Sequence, residues 1–141
     1  MPRIYISNAW LSNTDMQISP ESCQLLWRRV AKAANINTKV VEVYLTANHC
    51  SKLTMHGGLI KEMPVFISVH LFAGRSTEAK QKIMRAISDF LRSNGCTKDT
   101  DTTFVEYPSG AFFENEIQIP GGPGFIHFSN DNEDDDLALG G

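Results

Sequence analysis

Twice along this chain a short strand pattern gives way to a serine-capped amphipathic helix and then to a second strand pattern, over residues 2–46 and again over residues 64–107. Such a duplication constrains topology strongly, because each unit must lay two strands in one sheet and pack its helix across one face of it. The expected fold is α+β: duplicated β-α-β units giving a four-stranded mixed sheet with two helices on one face, plus short C-terminal strands.

The second unit is the more legible. Val65, Phe66, Ile67, Val69, Leu71 and Phe72 form an apolar run broken only by Ser68 and His70, which predicts a strand covered on both faces. Ser76 is a good N-cap and Glu78 suits the positive end of a helix dipole, so a helix should start at Thr77. Ala79, Ile83, Met84, Ile87, Phe90 and Leu91 mark its buried face, with Lys80, Lys82, Arg85 and Asp89 largely opposite. Asn94-Gly95 should end it, Gly95 supplying a left-handed cap. Thr102–Tyr107 alternates as a strand, and Pro108-Ser109-Gly110 reads as a turn.

In the first unit, bulky residues alternate over Arg3–Ser7, so a strand begins almost at the amino terminus. Residues 8–18 read as a connection with Trp10 and Leu11 packed back on the body. Ser19-Pro20-Glu21 combines a capping hydroxyl, a proline where no N–H is missed and an acid beside the dipole. Leu25, Leu26, Val30, Ala33 and Ala34 form the expected stripe of a helix ending near Asn35. Val40–Thr46 is the second strand, and residues 51–63 are a loop or short hairpin turning at Gly57-Gly58. Residues 111–119 suit a further short strand or hairpin, able to extend a neighbouring subunit's sheet edge. Residues 125–128 suit a small strand, so residues 1–128 are expected to form one domain. Residues 129–141 are acidic and poor in bulky apolar side chains, the composition of a disordered tail.

Composition narrows the function classes. No apolar run approaches the ~20 residues of a membrane helix, and no basic segment with an apolar signal core opens the chain. A cytoplasmic protein that does not bind membranes is expected. Five of the 16 acidic residues lie between Asp131 and Asp136, leaving 13 basic against 11 acidic residues before them. That mild positive balance suits small anions, and without clustered basic and aromatic residues it is no nucleic-acid footprint. Cys23, Cys50 and Cys96 are odd in number and widely spaced, so reduced thiols are expected. His49, Cys50, His56 and His70 lack the spacing of a metal site, and Gly121-Gly122-Pro123-Gly124 is not followed by the Lys-Ser/Thr of a phosphate loop. No metal and no cofactor are expected.

Gly74-Arg75-Ser76-Thr77-Glu78-Ala79-Lys80, followed by Glu106, Gly110 and Phe112 at their spacing, resembles the βαβ unit of oxalocrotonate-type members of the tautomerase superfamily. That group also includes carboxymethyl-hydroxymuconate isomerase and macrophage migration inhibitory factor-like proteins. The resemblance implies a trimer in which sheet edges and apolar faces are hidden, with pockets at the subunit boundaries. It also implies an amino-terminal proline as catalytic base, and Pro2 stands at that position if Met1 is removed. A ring amine at the start of a strand holds its lone pair in one direction, and desolvation and nearby cations would keep it uncharged near neutral pH. Arg75 then binds a substrate carboxylate or the developing enolate, Lys39 and Arg3 assist, and Phe112 forms an apolar wall. Pro64, at the start of the second unit, is an internal amide, so each chain can carry one such base.

The implied activity is tautomerisation or double-bond isomerisation of a small 2-oxo (enol) acid. The alternatives are a non-catalytic trimeric member of the superfamily, acting as a scaffold or small-ligand-binding module, and a monomeric regulatory βαββαβ module.

Overall fold

The computed structural model of the chain describes residues 2–9, 18–46 and 53–121. The expectations for Trp10, Leu11, His49, Cys50 and residues 125–141 lie outside them. In chain order the elements are β1 (Arg3–Ser7), α1 (Pro20–Ala34), a 3₁₀ turn (Thr38–Val40), β2 (Glu42–Thr46), β3 (Leu53–His56), β4 (Leu59–Glu62), β5 (Val65–Phe72), α2 (Thr77–Ser93), β6 (Thr100–Tyr107), β7 (Phe113–Glu114) and β8 (Ile117–Gln118).

Each β-α-β unit lays its two strands parallel, β1 with β2 and β5 with β6. The units join through an antiparallel pairing of β1 with β5, giving the sheet order β2-β1-β5-β6. The sheet therefore reads the same from either edge, and the duplication in the sequence becomes a near-twofold arrangement in space. β3 and β4 form a hairpin between the units, turning at Gly57 and Gly58, both of which have positive φ.

Both helices start where their capping serines predict. Ser19 Oγ accepts from Ser22 N–H and Ser76 Oγ from Ala79 N–H, each at 3.1 Å, satisfying backbone donors that have no partner inside the helix. α1 stops at Asn35, which adopts a left-handed conformation (φ 57°). After α2, Gly95 (φ 88°) lets the Cys96 N–H return to the Leu91 carbonyl at 3.0 Å.

The two helices lie side by side on one face of the sheet and run antiparallel. Arg29 pairs with Asp89 across them at 2.7 Å. At the start of α1, Asn94 accepts from the Ser19 N–H and donates to Ser22 Oγ, both at 2.9 Å. Beneath them Leu26, Val30, Ile83, Ile87 and Leu91 close over Ile4, Ile6, Ile67 and Val69, all buried.

Three details depart from the sequence reading. β5 is covered along its whole length on one face only: Val65, Ile67, Val69 and Leu71 are buried under the helices, whereas on the opposite face Phe66 is 45 % exposed and Phe72, at the other end of the strand, is buried. In α1 and α2, Leu25 and Met84 are surface residues, and Ala31 and Ala86 are buried instead. Where two helices and a sheet meet closely, the small side chain fits the interior position and the long one is turned outward. Finally, β2 starts at Glu42, because Asn37 Oδ1 accepts from the Lys39 N–H at 2.8 Å and caps the 3₁₀ turn before it.

Candidate functional site

Strand register creates a charged cluster at the start of β1. Arg3 stands opposite Glu42 on β2 and His70 on β5. All three side chains lie on the sheet face away from the helices, as does Tyr44, two residues beyond Glu42 on its strand. Arg3 Nε donates to Glu42 Oε2 at 2.7 Å, and the Tyr44 hydroxyl donates to the same oxygen at 2.8 Å. Tyr5 stacks on Tyr44 with ring centroids 5.2 Å apart and meets His70 edge-on at 5.0 Å.

The C-terminal part of the described chain folds over this cluster. Pro108-Ser109-Gly110 turns as its composition predicts, with Gly110 at φ 85° and the Ala111 N–H donating to the Pro108 carbonyl at 3.2 Å. The chain thereby carries Phe112 beneath the Arg3 guanidinium, whose carbon lies 4.9 Å from the ring centroid. β7 and β8 form the expected hairpin, turning at Asn115 and Glu116, both left-handed. It brings Ile119 back, and the Ile119 N–H donates to the Phe112 carbonyl at 2.9 Å. Gly121 then packs directly on the Phe72 ring: a Cβ built there would stand 2.2 Å from a ring carbon.

These pieces enclose a cavity of about 250 Å³, lined by Arg3, Lys39, Val40, Glu42, Phe72, Phe112, Glu114 and Ile119. Its lining combines aromatic and aliphatic side chains with two cations and two carboxylates. A larger groove of about 750 Å³ runs along α1 and α2. Its charged walls are largely ion-paired surface side chains, Arg29 with Asp89 and Lys82 with Glu78. We therefore assign the candidate site to the smaller cavity, where charge and an apolar wall converge.

Hydrogen bonding from Tyr44, joined by the charge and hydrogen bond of Arg3, holds the Glu42 carboxyl below its ordinary range. The same bond from its own side raises the Tyr44 phenol. His70 is pushed down by partial burial and by the charge of Arg3. Its ring nitrogens lie 2.6 Å from the Tyr107 hydroxyl and 2.9 Å from Ser68 Oγ. Among the described residues no group of three His, Cys, Asp or Glu side chains is placed to hold a metal ion.

Of the residues singled out from the sequence, Arg3, Lys39 and Phe112 come together around this cavity. Pro2 lies at the same end of β1 but is fully buried, its carbonyl accepting from the Glu42 N–H at 3.1 Å. It is not among the lining residues. Arg75 is outside the cavity, on the helix side of the sheet, where its Nε donates to the Ala34 carbonyl at 3.1 Å. Partial burial lowers its pKa. Sequence reasoning missed Glu42, Tyr44 and Glu114. The one trace of the first two is the polar alternation of Glu42 and Tyr44 in an otherwise aliphatic strand.

No family model and no curated protein matches the sequence. Among solved structures, a domain of unknown function (DUF1904) from Sebaldella termitidis superposes with a TM-score of 0.61 at 17 % identity, over 84 % of this chain and 100 % of that one. Macrophage migration inhibitory factor of Toxoplasma gondii gives 0.60 at 15 % identity, over 84 % and 100 %. The R7 fused 4-OT, a wild-type asymmetric trimer, gives 0.60 at 18 % identity, over 83 % and 95 %. At these identities the likeness is one of architecture: the chain has the fold shared by proteins of the tautomerase superfamily.

Proposed function

We propose that the protein is a tautomerase or isomerase acting on a small 2-oxo acid or its enol, with Pro2 as general base once Met1 is removed. The observation that carries this reading is the convergence of Arg3, Lys39 and Phe112 on one cavity at the strand end where Pro2 sits. The Pro2 amine takes a proton from the carbon beside the carbonyl. The electron pair of that C–H bond forms the enolate, and the resulting ammonium returns the proton in the ketonisation direction. Arg3 and Lys39 offset the charge of the carboxylate and the enolate oxygen, and Phe112 keeps the amine poorly solvated.

The reading includes a homotrimer in the cytoplasm. Tyr5, Tyr44 and Phe66, 39–45 % exposed on the sheet face away from the helices, support assembly, as does the trimeric state of the fused 4-OT relative. Cys23 and Cys96, both free thiols, accord with the compartment. In such an assembly Arg75 serves a pocket shared between two chains. The mass of the protein in solution tests the trimer.

A second reading, a ligand-binding or scaffold member of the fold without catalysis, is favoured by Glu42, whose carboxylate already engages Arg3. Ketonisation of an enolic 2-oxo acid separates the two, using protein whose amino terminus is verified by mass as Pro2. We expect Pro2→Ala to lower the rate by at least ~100-fold, the usual scale of a lost general base. An unchanged rate eliminates the catalytic reading and leaves the second.

A further inference from the structure

The larger groove, along α1 and α2, takes no part in the proposed chemistry, and its composition suits an acidic partner. The two helices carry seven basic against three acidic residues. Arg29, Lys32 and Lys82 line the groove together with the apolar side chains of Leu25, Ala33 and Ala79. Leu25 is 39 % exposed. The two acids in the lining, Glu78 and Asp89, pair with Lys82 at 3.4 Å and Arg29 at 2.7 Å, but their side chains are 78 % and 65 % exposed. Solvent-exposed pairs hold weakly, so an incoming carboxylate can exchange for either acid.

The chain contains a segment of matching chemistry. Five carboxylates lie between Asp131 and Asp136, Leu137 and Leu139 follow them, and no lysine or arginine occurs beyond Gly121. Gly121 packs on the Phe72 ring. Phe72 is four residues from Ser76, which lines the groove, a separation of at most about 14 Å of backbone. Ten further residues lead from Gly121 to Asp131, with a reach of up to about 35 Å.

We propose that the acidic C-terminal segment, residues 131–139, docks in the groove between α1 and α2 of its own chain. Its carboxylates meet Arg29, Lys32 and Lys82, and its leucines cover Leu25, where removal of apolar surface from water adds to the attraction of opposite charges. A tethered segment meets its site at an effective concentration of about millimolar, so contacts too weak to hold a free peptide suffice. Neither Pro2 nor the smaller cavity enters this inference, which stands or falls apart from the proposed function.

Zero-length carbodiimide crosslinking of the full chain, read by mass spectrometry, tests this, because it joins a lysine to a carboxylate only where the two already touch. A mixture of isotope-labelled and unlabelled chains separates links within a chain from links between chains. We expect links from Lys32 and Lys82 to residues 131–136 to exceed those from Lys39, Lys80 and Lys98 by at least about fivefold. Raising the salt from about 50 mM to about 500 mM should reduce them at least about fivefold, since screening shortens the reach of charge. Leu25→Asp, which alters a surface position and leaves both lysines in place, should bring them down to the level of the other lysines. Links spread evenly over the lysines overturn the proposal. So do links that persist in high salt or in Leu25→Asp, links found only between chains, and the absence of links.

Discussion

Arg75 donates its Nε–H to the main-chain carbonyl of Ala34 at 3.1 Å, fastening the residue before the Ser76 cap of α2 to the last residue of α1. A guanidinium at a helix C-terminus satisfies an orphan carbonyl and opposes the negative end of the dipole. Within one chain Arg75 thus has a structural task, separate from any service it gives to a pocket between subunits.

Arg75→Ala is accordingly expected to lower stability by about 1.5–3 kcal/mol, the scale of a hydrogen bond from a charged group. Urea denaturation measures this. The loss should appear whether or not the protein turns over substrate, and Arg75→Lys, which keeps the charge, should restore part of it. An alanine variant as stable as the wild type would show that the Ala34 contact contributes nothing.

Glu42 predicts a pH effect of defined sign. Tyr44 and Arg3 hold its carboxyl below the unfolded-state value, so more protons bind to the unfolded than to the folded chain in acid. The resulting stabilisation is fully present above the unfolded carboxylate range near pH ~4.3, and is lost as pH falls through the lower, folded value. The pair is more than a third exposed on the Glu42 side, so its worth at neutral pH should be below about 1 kcal/mol. Denaturation of wild type and Glu42→Gln between pH 3 and 7 should show a gap that closes on acidification. A gap that widens in acid would contradict the assignment.

Gly121 lies where a side chain has no room, with Phe72 itself 6 % exposed and unable to swing away freely. Gly121→Ala must therefore displace either the ring or the end of the C-terminal arm, at about 1–3 kcal/mol for an overpacked site. Since Phe72 and Ile119 both line the cavity, weaker ligand binding should accompany the loss. Thermal unfolding together with titration of a small 2-oxo acid checks both.

Much of the architecture was legible because its signals are local. Ser19 and Ser76 cap the helices they precede, Asn35 and Gly95 end them, and alternation marks β1 and β6. Each depends on residues within about one helical turn or one strand, where backbone geometry leaves few choices. The exposure of Leu25 and Met84 was not legible, because an apolar stripe at helical spacing does not say which of its edges meets a neighbouring helix.

The site divides along the same line. The sequence alone determined that Pro2 stands at a strand's start, that Arg3 points to the face opposite Ile4, and that Phe112 follows a turn closing the second unit. Only the tertiary structure decided that Glu42, 39 residues from Arg3, takes its guanidinium. Tertiary packing likewise set Phe112 beneath that group. It also buried Asn8, in a left-handed conformation, to donate to the Met63 and Pro64 carbonyls. The physical reason is range: helix caps and strand alternation are settled between neighbours in the chain, whereas register, ring contacts and buried polar bridges exist only once distant segments share one sheet.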